Sequence, residues 1–196
     1  MARPYHHLFK ILVVGDPSVG KEDLLKKFEE DKHSEDPFVS TIGIPFRVRD
    51  VRVGGQKVRL QLWESTWDAA WEALTSVQDP TRAPRGMMVV YDVTHEASYD
   101  TTRRWLQKVM AAGREGAGKV VILLVGNNGH CRGDDRQVTW KRGKELGAEA
   151  GLKFLEVSPV SGLNVEETLI SLTTDILAKD SSVTSKEKTS RACSIQ

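Results

Sequence analysis

The chain has 196 residues, which is enough for one α/β domain with a full hydrophobic core and a short tail. Its 28 lysines and arginines are balanced by 27 aspartates and glutamates, so charge gives no argument for a nucleic-acid-binding surface. Two cysteines, Cys131 and Cys193, form no disulfide framework and indicate a reducing compartment. The apolar residues after His7 are too few to predict a signal peptide or a membrane span.

Apolar runs alternate with helical patterns along the chain, which is typical of parallel strands joined by crossover helices. Three strongly apolar runs predict central strands over 8–14, 86–91 and 120–125. Two alternating stretches on either side of Gly54 and Gly55 predict a β-hairpin. The other predicted elements are the hairpin strands 44–53 and 57–63, a short strand 153–157, and helices over 21–31, 97–112, 135–150 and 165–179.

Two segments are irregular in pattern. Tryptophans and a leucine occur at helical spacing within 64–84, but Pro80 and Pro84 interrupt any longer helix. Two interpretations of this segment remain. It could be a surface helix and loop that closes one edge of the sheet, or it could bind a partner protein. Serine, threonine and lysine dominate the C-terminal end, so we expect one domain over 1–179 and a flexible tail over 180–196.

The first apolar run leads into a glycine-containing loop that precedes the first predicted helix. Gly15, Gly20 and Lys21 fit the phosphate-loop template G-x-x-x-x-G-K followed by Ser or Thr. Glycines let backbone N–H groups curl around a phosphate, and the lysine reaches the outer phosphates. Glu22 stands where the template has a hydroxyl for Mg²⁺. An ordinary glycine-rich turn is the alternative. The predicted phosphate-end residues are Gly15, Asp16, Pro17, Ser18, Val19, Gly20, Lys21 and Glu22.

Five segments occur in an order that carries a family resemblance. They are 10–16, Ser40-Thr41-Ile42-Gly43-Ile44 with Phe46, the strand at 58–63, Tyr91-Asp92-Val93-Thr94, and Asn164-Val165-Glu166-Glu167. In this order they resemble the Ras superfamily of small GTPases, and within it the Rab group, over about residues 5–179. The resemblance implies an α/β, Ras-like P-loop domain with a six-stranded mixed sheet, one antiparallel edge strand and helices on both faces. It also implies GTP or GDP and Mg²⁺ as ligands.

The resemblance implies altered catalysis, because the switch positions depart from the family pattern. Thr41 matches the threonine that contacts Mg²⁺, and Glu64 keeps the acid of the second switch. Trp67 replaces the glycine whose N–H approaches the γ-phosphate, and its bulk opposes that approach. Asp68 stands where a glutamine orients the attacking water. The implied metal ligands are Glu22, Thr41 and Glu64, no catalytic residue is assigned beyond Asp68, and hydrolysis is predicted to be impaired.

The base-binding motifs also depart from the family. Asn127, Asn128 and His130 stand where the family has Asn-Lys-x-Asp. A neutral histidine accepts one hydrogen bond where the aspartate accepts two. Losing two charge-assisted bonds of about 1.5–3 kcal/mol each would weaken guanine preference by roughly 10²–10⁴-fold. Ser158 matches the last box, whereas Pro159 removes a backbone N–H there.

The end of the chain and the hairpin suggest a membrane and protein partners. Cys193 begins a C-terminal Cys-a-a-X prenylation pattern whose final Gln196 favours farnesyl. This implies a peripheral location on the cytoplasmic face of a membrane, where basic tail residues would support the single lipid. Phe46 and Trp63 match aromatic positions that Rab-like proteins present to effector proteins, although both could instead fill the core.

Three functions follow as hypotheses. The first is a Rab-like adaptor in membrane trafficking or signalling, with weak or lost GTP hydrolysis. The second is a working GTPase switch whose hydrolysis is slow. The third is a protein–protein interaction module that binds no nucleotide.

Overall fold

One mixed sheet runs through the part of the chain that the computed structural model describes, which is residues 5–29, 38–39, 45–65, 83–115 and 120–192. Its strands are β1 His7–Val14, β2 Phe38–Val39, β3 Pro45–Val53, β4 Gln56–Ser65, β5 Gly86–Asp92, β6 Val121–Asn127 and β7 Lys153–Glu156. Their order across the sheet is β2-β3-β4-β1-β5-β6-β7. Strand β3 is antiparallel to both of its neighbours, and every other neighbouring pair is parallel.

All six predicted strands are present, and the predicted α/β architecture is confirmed. The sheet has one strand more than predicted, because the two-residue β2 pairs with the start of β3. In this pairing Phe38 lies opposite Phe46 and Val39 opposite Pro45. A strand of two residues is too short to show any alternation, so sequence pattern could not reveal it.

The predicted hairpin is formed by β3 and β4. Gly54 and Gly55 connect the strands with φ values of 56° and 77°. Positive φ at both central residues is what a two-residue turn of this kind requires, and glycine adopts it without steric cost. The turn fixes the register in which Val53 lies opposite Gln56.

Four helices pack against the sheet within the described residues. They are α1 Lys21–Phe28, α2 Glu96–Glu115, α3 Trp140–Ala150 and α4 Val165–Ala192. The third helix was predicted from residue 135, but a short 3₁₀ turn at Gly133–Asp135 comes before it. Thr139 then caps α3 by accepting a hydrogen bond from the Arg142 backbone N–H, and Gly151 ends it with φ of 66°.

Two hydrophobic cores lie on opposite faces of the sheet, which confirms helices on both faces. Alternate residues of β1 point into different cores, with Ile11 and Val13 on one face and Leu12 and Val14 on the other. Side chains of α1 and α4 complete the first core, and those of α2 and α3 complete the second. Burial on both faces explains why β1, β5 and β6 have nearly continuous apolar sequences.

Helix α4 continues beyond its predicted end at Lys179 to Ala192. The prediction of that end was wrong because the following stretch, although polar, contains no glycine or proline to interrupt a helix. Arg85 also pairs with Asp180 at this point. That residues 180–196 form a flexible tail outside the domain stays a prediction.

The irregular segment predicted over 64–84 lies mostly outside the described residues, which end at Ser65 and resume at residue 83. Its two proposed roles are therefore still open. Within the described ranges, no helix has both the length and the apolar character that crossing a membrane requires.

Candidate nucleotide-binding cleft

A cleft of about 540 Å³ opens at the carboxyl ends of the parallel strands. Sheets of this architecture bind ligands at that edge, where loops from several strands converge. The residues that line it are Ser18, Gly20, Asp23, Lys26, Lys27, Asn127, Asn128, Pro159 and Val160. The structure thus brings together predicted residues from the phosphate loop and from both base motifs. Asp23, Lys26, Lys27 and Val160 were missed, because the motifs do not extend to them.

The loop between β1 and α1 has the backbone shape of a phosphate cradle. Gly20 has φ of 75° and Gly15 has φ of 151°. A Cβ atom on Gly15 would lie 2.2 Å from the Val90 carbonyl oxygen, and one on Gly20 would lie 2.5 Å from Asn127 Nδ2. Both glycines are therefore required by backbone conformation and by close packing. Ser18 between them also adopts a positive φ, of 69°.

Lys21 is folded beneath this loop. Its side chain is 3% exposed, and Nζ donates to the Gly15 carbonyl at 3.0 Å and the Asp16 carbonyl at 2.6 Å. Burial lowers the pKa of Lys21, while the carboxylates of Glu64 and Asp16 act in the opposite direction. An ammonium has three N–H donors, so one remains beyond these two bonds for an anionic ligand. The lysine is thus held against the carbonyl groups of its own loop, and its role in phosphate binding stays a prediction.

The Glu22 side chain points away from Lys21. Its Oε1 lies 2.8 Å from Lys26 Nζ, one helical turn on, and 68% of the side chain is exposed. The hydrogen bond from Lys26 lowers the pKa of Glu22. Burial raises the pKa of Glu64, and the charge of Lys21 partly opposes that shift. Glu22 is thus a solvated carboxylate at the rim of the loop, and it does not occupy the buried lysine.

The Asp16 carboxylate is directed toward α2. It accepts a hydrogen bond from Trp105 Nε1 at 2.6 Å and a second from the Thr101 hydroxyl. Asp16 was predicted to contact the nucleotide, but its side chain ties the loop to the neighbouring helix. Thr101 and Trp105 are far from Asp16 in sequence, so no local pattern could have identified this support.

The end of the cleft near His130 and Ser158, where the sequence predicts base binding, is called the base end. Asn127 and Asn128 connect it to the rest of the site. Asn127 Nδ2 donates to the Val19 carbonyl at 2.9 Å, which fixes the loop against the end of β6. Asn127 Oδ1 is buried and has no hydrogen-bond partner among the described residues. Asn128 Nδ2 donates to Asp92 Oδ2 at 3.0 Å. A buried acceptor without a partner is expected where a bound ligand would donate the missing hydrogen bond.

His130 is held by Ser158, the other predicted base-contacting residue. His130 Nδ1 lies 2.8 Å from Ser158 Oγ, and Ser158 is completely buried. The same Oγ accepts the Ser161 backbone N–H at 3.1 Å. On the other side of the ring, His130 Nε2 lies 3.7 Å from Cys131 Sγ. The structure therefore brings the two predicted residues together and adds Cys131, which no family motif includes.

The two aromatic residues predicted to bind partners stack on one another. The rings of Phe46 and Trp63 lie 4.6 Å apart and are inclined by 19°. Trp63 is only 5% exposed and belongs to the core beside α2 and α3. Lys10 Nζ lies 4.9 Å from the centre of the Trp63 ring. These contacts favour the core alternative for Trp63, and Phe46 is the more accessible of the pair.

Four predicted site residues lie outside the described part of the chain. They are Thr41, Trp67, Asp68 and Cys193. Their roles at the switches and in lipidation stay predictions. Across the described ranges, no group of three or more histidines, cysteines, aspartates or glutamates is placed to hold a metal ion.

Comparison with known proteins agrees with this fold. The model of the Ras family matches residues 10–178. Ras-related protein Rab-8B of Bos taurus is 38% identical over 179 residues, which is 91% of this chain and 83% of that protein. The Homo sapiens Rab-8B matches with the same identity and coverage, and Rab-8 of Diplobatis ommata is 38% identical over 91% of this chain and 82% of its own. The chain therefore belongs to the Ras family and is a Rab-like small GTPase-family protein.

Proposed function

We propose that this chain is a Rab-like adaptor in membrane trafficking or signalling that binds nucleotide mainly through the phosphates and hydrolyses GTP weakly or not at all. One observation carries the proposal. The phosphate loop keeps its buried lysine and its glycines with positive φ, whereas the base end presents His130 bound to Ser158. The family's aspartate at that position would offer two charged acceptors to guanine, and an imidazole offers at most one neutral acceptor.

The described residues fit the phosphates of GTP or GDP. Lys21 Nζ and the backbone N–H groups of the loop from Gly15 to Gly20 would hold them. Bound Mg²⁺ would neutralise phosphate charge, with Thr41 and Glu64 as the proposed ligands. Glu22 stands at the family's third ligand position, but we expect its carboxylate to repel the phosphates instead. The exposed Glu22–Lys26 pair leaves the Glu22 carboxylate free to reorient, since exposed ion pairs contribute little stability.

Weak hydrolysis is proposed from the two switch substitutions. Trp67 replaces a glycine and Asp68 a water-orienting glutamine. A carboxylate at that position repels the phosphate charge that it faces. We expect single-turnover hydrolysis of GTP labelled at the γ-phosphate to be at or below the slow basal rate of the family. A supplied arginine finger should produce no acceleration, and a clear stimulated rate would contradict the proposal.

Nucleotide content after gentle purification tests the proposal against its alternatives. We expect substoichiometric GDP or GTP that is lost on dialysis against EDTA, because both the metal and the base contacts are altered. A stoichiometric GTP or GDP complex that survives dialysis supports the slow GTPase. A protein without bound nucleotide that also fails to bind millimolar GTP or GDP supports the nucleotide-free interaction module.

Anchoring and partner binding complete the proposal. A farnesyl group on Cys193 would place the chain on the cytoplasmic face of a membrane, and the Phe46 side of the hairpin would contact effectors. In cells that express the tagged chain, Cys193→Ser should move it from the membrane fraction to the supernatant. Lys188→Ser, which keeps the cysteine, is the matched control and should leave most of the protein on membranes.

A further inference from the structure

The carboxylate of Asp16 lies at the junction between the phosphate loop and α2. Its Oδ1 accepts a hydrogen bond from Trp105 Nε1 at 2.6 Å, and its other oxygen accepts one from the Thr101 hydroxyl. Asp16 is half-buried, so its carboxylate has given up part of its contact with water. Hydrogen bonds to an ionised group are shorter and stronger than those between neutral groups, and they hold both partners in one geometry.

The indole of Trp105 is the more committed of the two donors. Thr101 has a single O–H, and the Ser98 carbonyl also lies within its reach, at 3.0 Å. The indole nitrogen can only donate, and its acceptor is Asp16. Lys108 Nζ lies 5.3 Å from the centre of the Trp105 ring, over one of its faces. The ring is therefore fixed with its N–H edge toward the loop.

The backbone of Asp16 holds the buried lysine of the same loop. Lys21 Nζ donates to the Asp16 carbonyl at 2.6 Å and to the Gly15 carbonyl at 3.0 Å. A rotation of the backbone at Asp16 would move its carbonyl and, with it, the ammonium of Lys21. The carboxylate and this carbonyl belong to one residue, so the bonds from α2 to the carboxylate oppose such a rotation.

Helix α2 is a firm support for this contact. Near its start, the buried Ser98 Oγ accepts the Asp92 backbone N–H at 3.0 Å, which ties the helix to the end of β5. Tyr99 Oη donates to the Arg142 carbonyl on α3 at 3.0 Å. One turn after the indole, Val109 is completely buried in the core. A side chain on a packed helix is held more precisely than one on a loop.

We propose that Trp105 is a positioning residue for phosphate binding. Its bond to Asp16 keeps the loop carbonyls and Lys21 in the arrangement that receives a nucleotide. This role rests on the proposed function, since it presumes that the phosphate end binds nucleotide. Trp105 is not among the residues that line the cleft, so it acts through the loop rather than on the ligand. Without its N–H the loop should sample other arrangements, and bound nucleotide should leave faster.

The rate of nucleotide release tests this role. Trp105→Phe keeps an aromatic ring but removes the N–H, and loss of this bond to a charged group should speed dissociation of a fluorescent GDP analogue by about tenfold. Asp16→Ala should speed it at least as much. The double variant should release the analogue no faster than Asp16→Ala alone, because both changes remove one contact. Trp140→Phe replaces an exposed tryptophan on α3 and, as the matched control, should behave as the wild type does.

A measurement without nucleotide separates the role of Trp105 from the proposed function. Amide hydrogen exchange of nucleotide-free protein, followed by mass spectrometry, reports how often the loop over 15–20 opens. Trp105→Phe should speed exchange in that peptide by about tenfold and leave exchange in β6 unchanged. If this change is present but the wild type binds no GDP or GTP, the proposed function is overturned and the positioning of the loop by Trp105 is supported.

Thermal melting shows whether each variant is folded. If Trp105→Phe fails to fold, Thr101→Val removes the other donor at nearly constant volume, and it should speed release and loop exchange by about threefold, since that hydroxyl has a second acceptor. Release and exchange at the wild-type rates in folded Trp105→Phe, or in folded Thr101→Val where the first is lost, would overturn the proposal. Rate increases that multiply in the double variant would overturn it as well.

Discussion

The two ends of the cleft are formed by different parts of the chain, one by backbone and the other by side chains. The phosphate end is made by the backbone of one loop, in which two glycines lie against β5 and β6. The buried Lys21 donates hydrogen bonds to carbonyl groups of the same loop. The base end is made by side chains from separate turns, with His130 from the turn after β6 and Ser158 from the turn after β7. A backbone site depends on a few irreplaceable residues. A side-chain site can change its chemistry without disturbing the fold.

The histidine shows how the base end tolerates that change. Polar groups that are buried without partners are costly, but both nitrogens of the His130 ring have neighbours, Ser158 Oγ and Cys131 Sγ. The substitution therefore carries little cost in stability while it alters what the site offers a base. At the phosphate end, by contrast, a Cβ on Gly15 would collide with the Val90 carbonyl. These constraints explain how one end could keep the family pattern and the other lose it.

The largest effect is expected at the phosphate end. Lys21→Met keeps the buried volume but removes the ammonium, and it should weaken GTP or GDP binding by about 10²-fold, since charge-assisted hydrogen bonds contribute about 1.5–3 kcal/mol each. Titration with a fluorescent nucleotide analogue measures the change. Lys144→Met, where the lysine lies over the exposed Trp140 ring, is the charge-matched control and should bind as the wild type does. A Lys21→Met protein that loses less than threefold would show that phosphates are not bound here.

A smaller gain is expected at the rim of the same loop. Glu22→Thr removes a carboxylate and restores a hydroxyl, and in the presence of Mg²⁺ it should raise nucleotide affinity by at least about tenfold. Without solvent screening, the repulsion between the Glu22 carboxylate and the phosphates would cost more affinity than this. Glu22 is exposed and paired with Lys26, so the expected effect is smaller. Glu22→Gln removes the charge alone and so separates its effect from that of the hydroxyl. An affinity that stays the same or falls in Glu22→Thr would mean that Glu22 is a metal ligand or lies outside the site.

The base end should respond in selectivity rather than in affinity for phosphate. Together, His130→Asp and Asn128→Lys restore the family pattern, and they should raise the preference for GTP over ATP to more than about 10²-fold by adding two charge-assisted bonds. Competition titration with both nucleotides measures the ratio. Asn128→Lys alone lacks the carboxylate and should leave the ratio near that of the wild type. Equal ratios in the single and double variants would show that position 130 does not contact the base.

The smallest effect is expected outside both ends, in the hairpin. Hydrogen bonds from Arg59 and then Lys57 lower the pKa of Asp50 to about 2. A lowered carboxyl pKa stabilises the fold above the unfolded-state value of about 3.9, and this contribution is lost as pH falls toward 2. Asp50→Asn should therefore lower the free energy of unfolding by about 1–2 kcal/mol at pH 7, and the difference should vanish only as the pH falls below about 2.

Urea denaturation at several pH values measures that difference, with nucleotide selectivity followed in the same proteins. Asp175→Asn removes an exposed pair with Lys153 and should change stability by less than about 0.5 kcal/mol. Neither variant should alter the choice of base. A change in base preference in Asp50→Asn would show that fold stability and the base site are coupled, contrary to the comparison of the two ends.

Local pattern was sufficient to predict the central strands, the hairpin and the glycine-containing loop between β1 and α1. Continuous apolar runs reveal buried parallel strands, and Gly54-Gly55 reveals the turn. The two-residue β2 and the true end of α4 were not predicted, because one has too few residues for a period and the other has no breaker to mark it. Helix α3 was predicted too early, since Thr139 caps it after a separate turn.

Several residues that line the cleft were predicted from the sequence, but the directions of the side chains around it were not. Sequence could place Asp16 and Glu22 in the loop, yet their partners lie on α2 and on the next helical turn. The row of Cys131, His130 and Ser158 joins residues from two turns and has no motif of its own. Contacts between distant segments depend on the tertiary fold, which spacing in a single sequence does not specify.

We propose that the phosphate end binds nucleotide whereas the base end has lost its preference for guanine. Competition of GTP, ATP and XTP against one fluorescent nucleotide on the wild-type protein tests both parts of this proposal. We predict that all three bind in the presence of Mg²⁺ and that their affinities lie within about tenfold of one another, since His130 offers no pair of charged acceptors. Selection of GTP by about 10³-fold or more over both competitors would contradict the account.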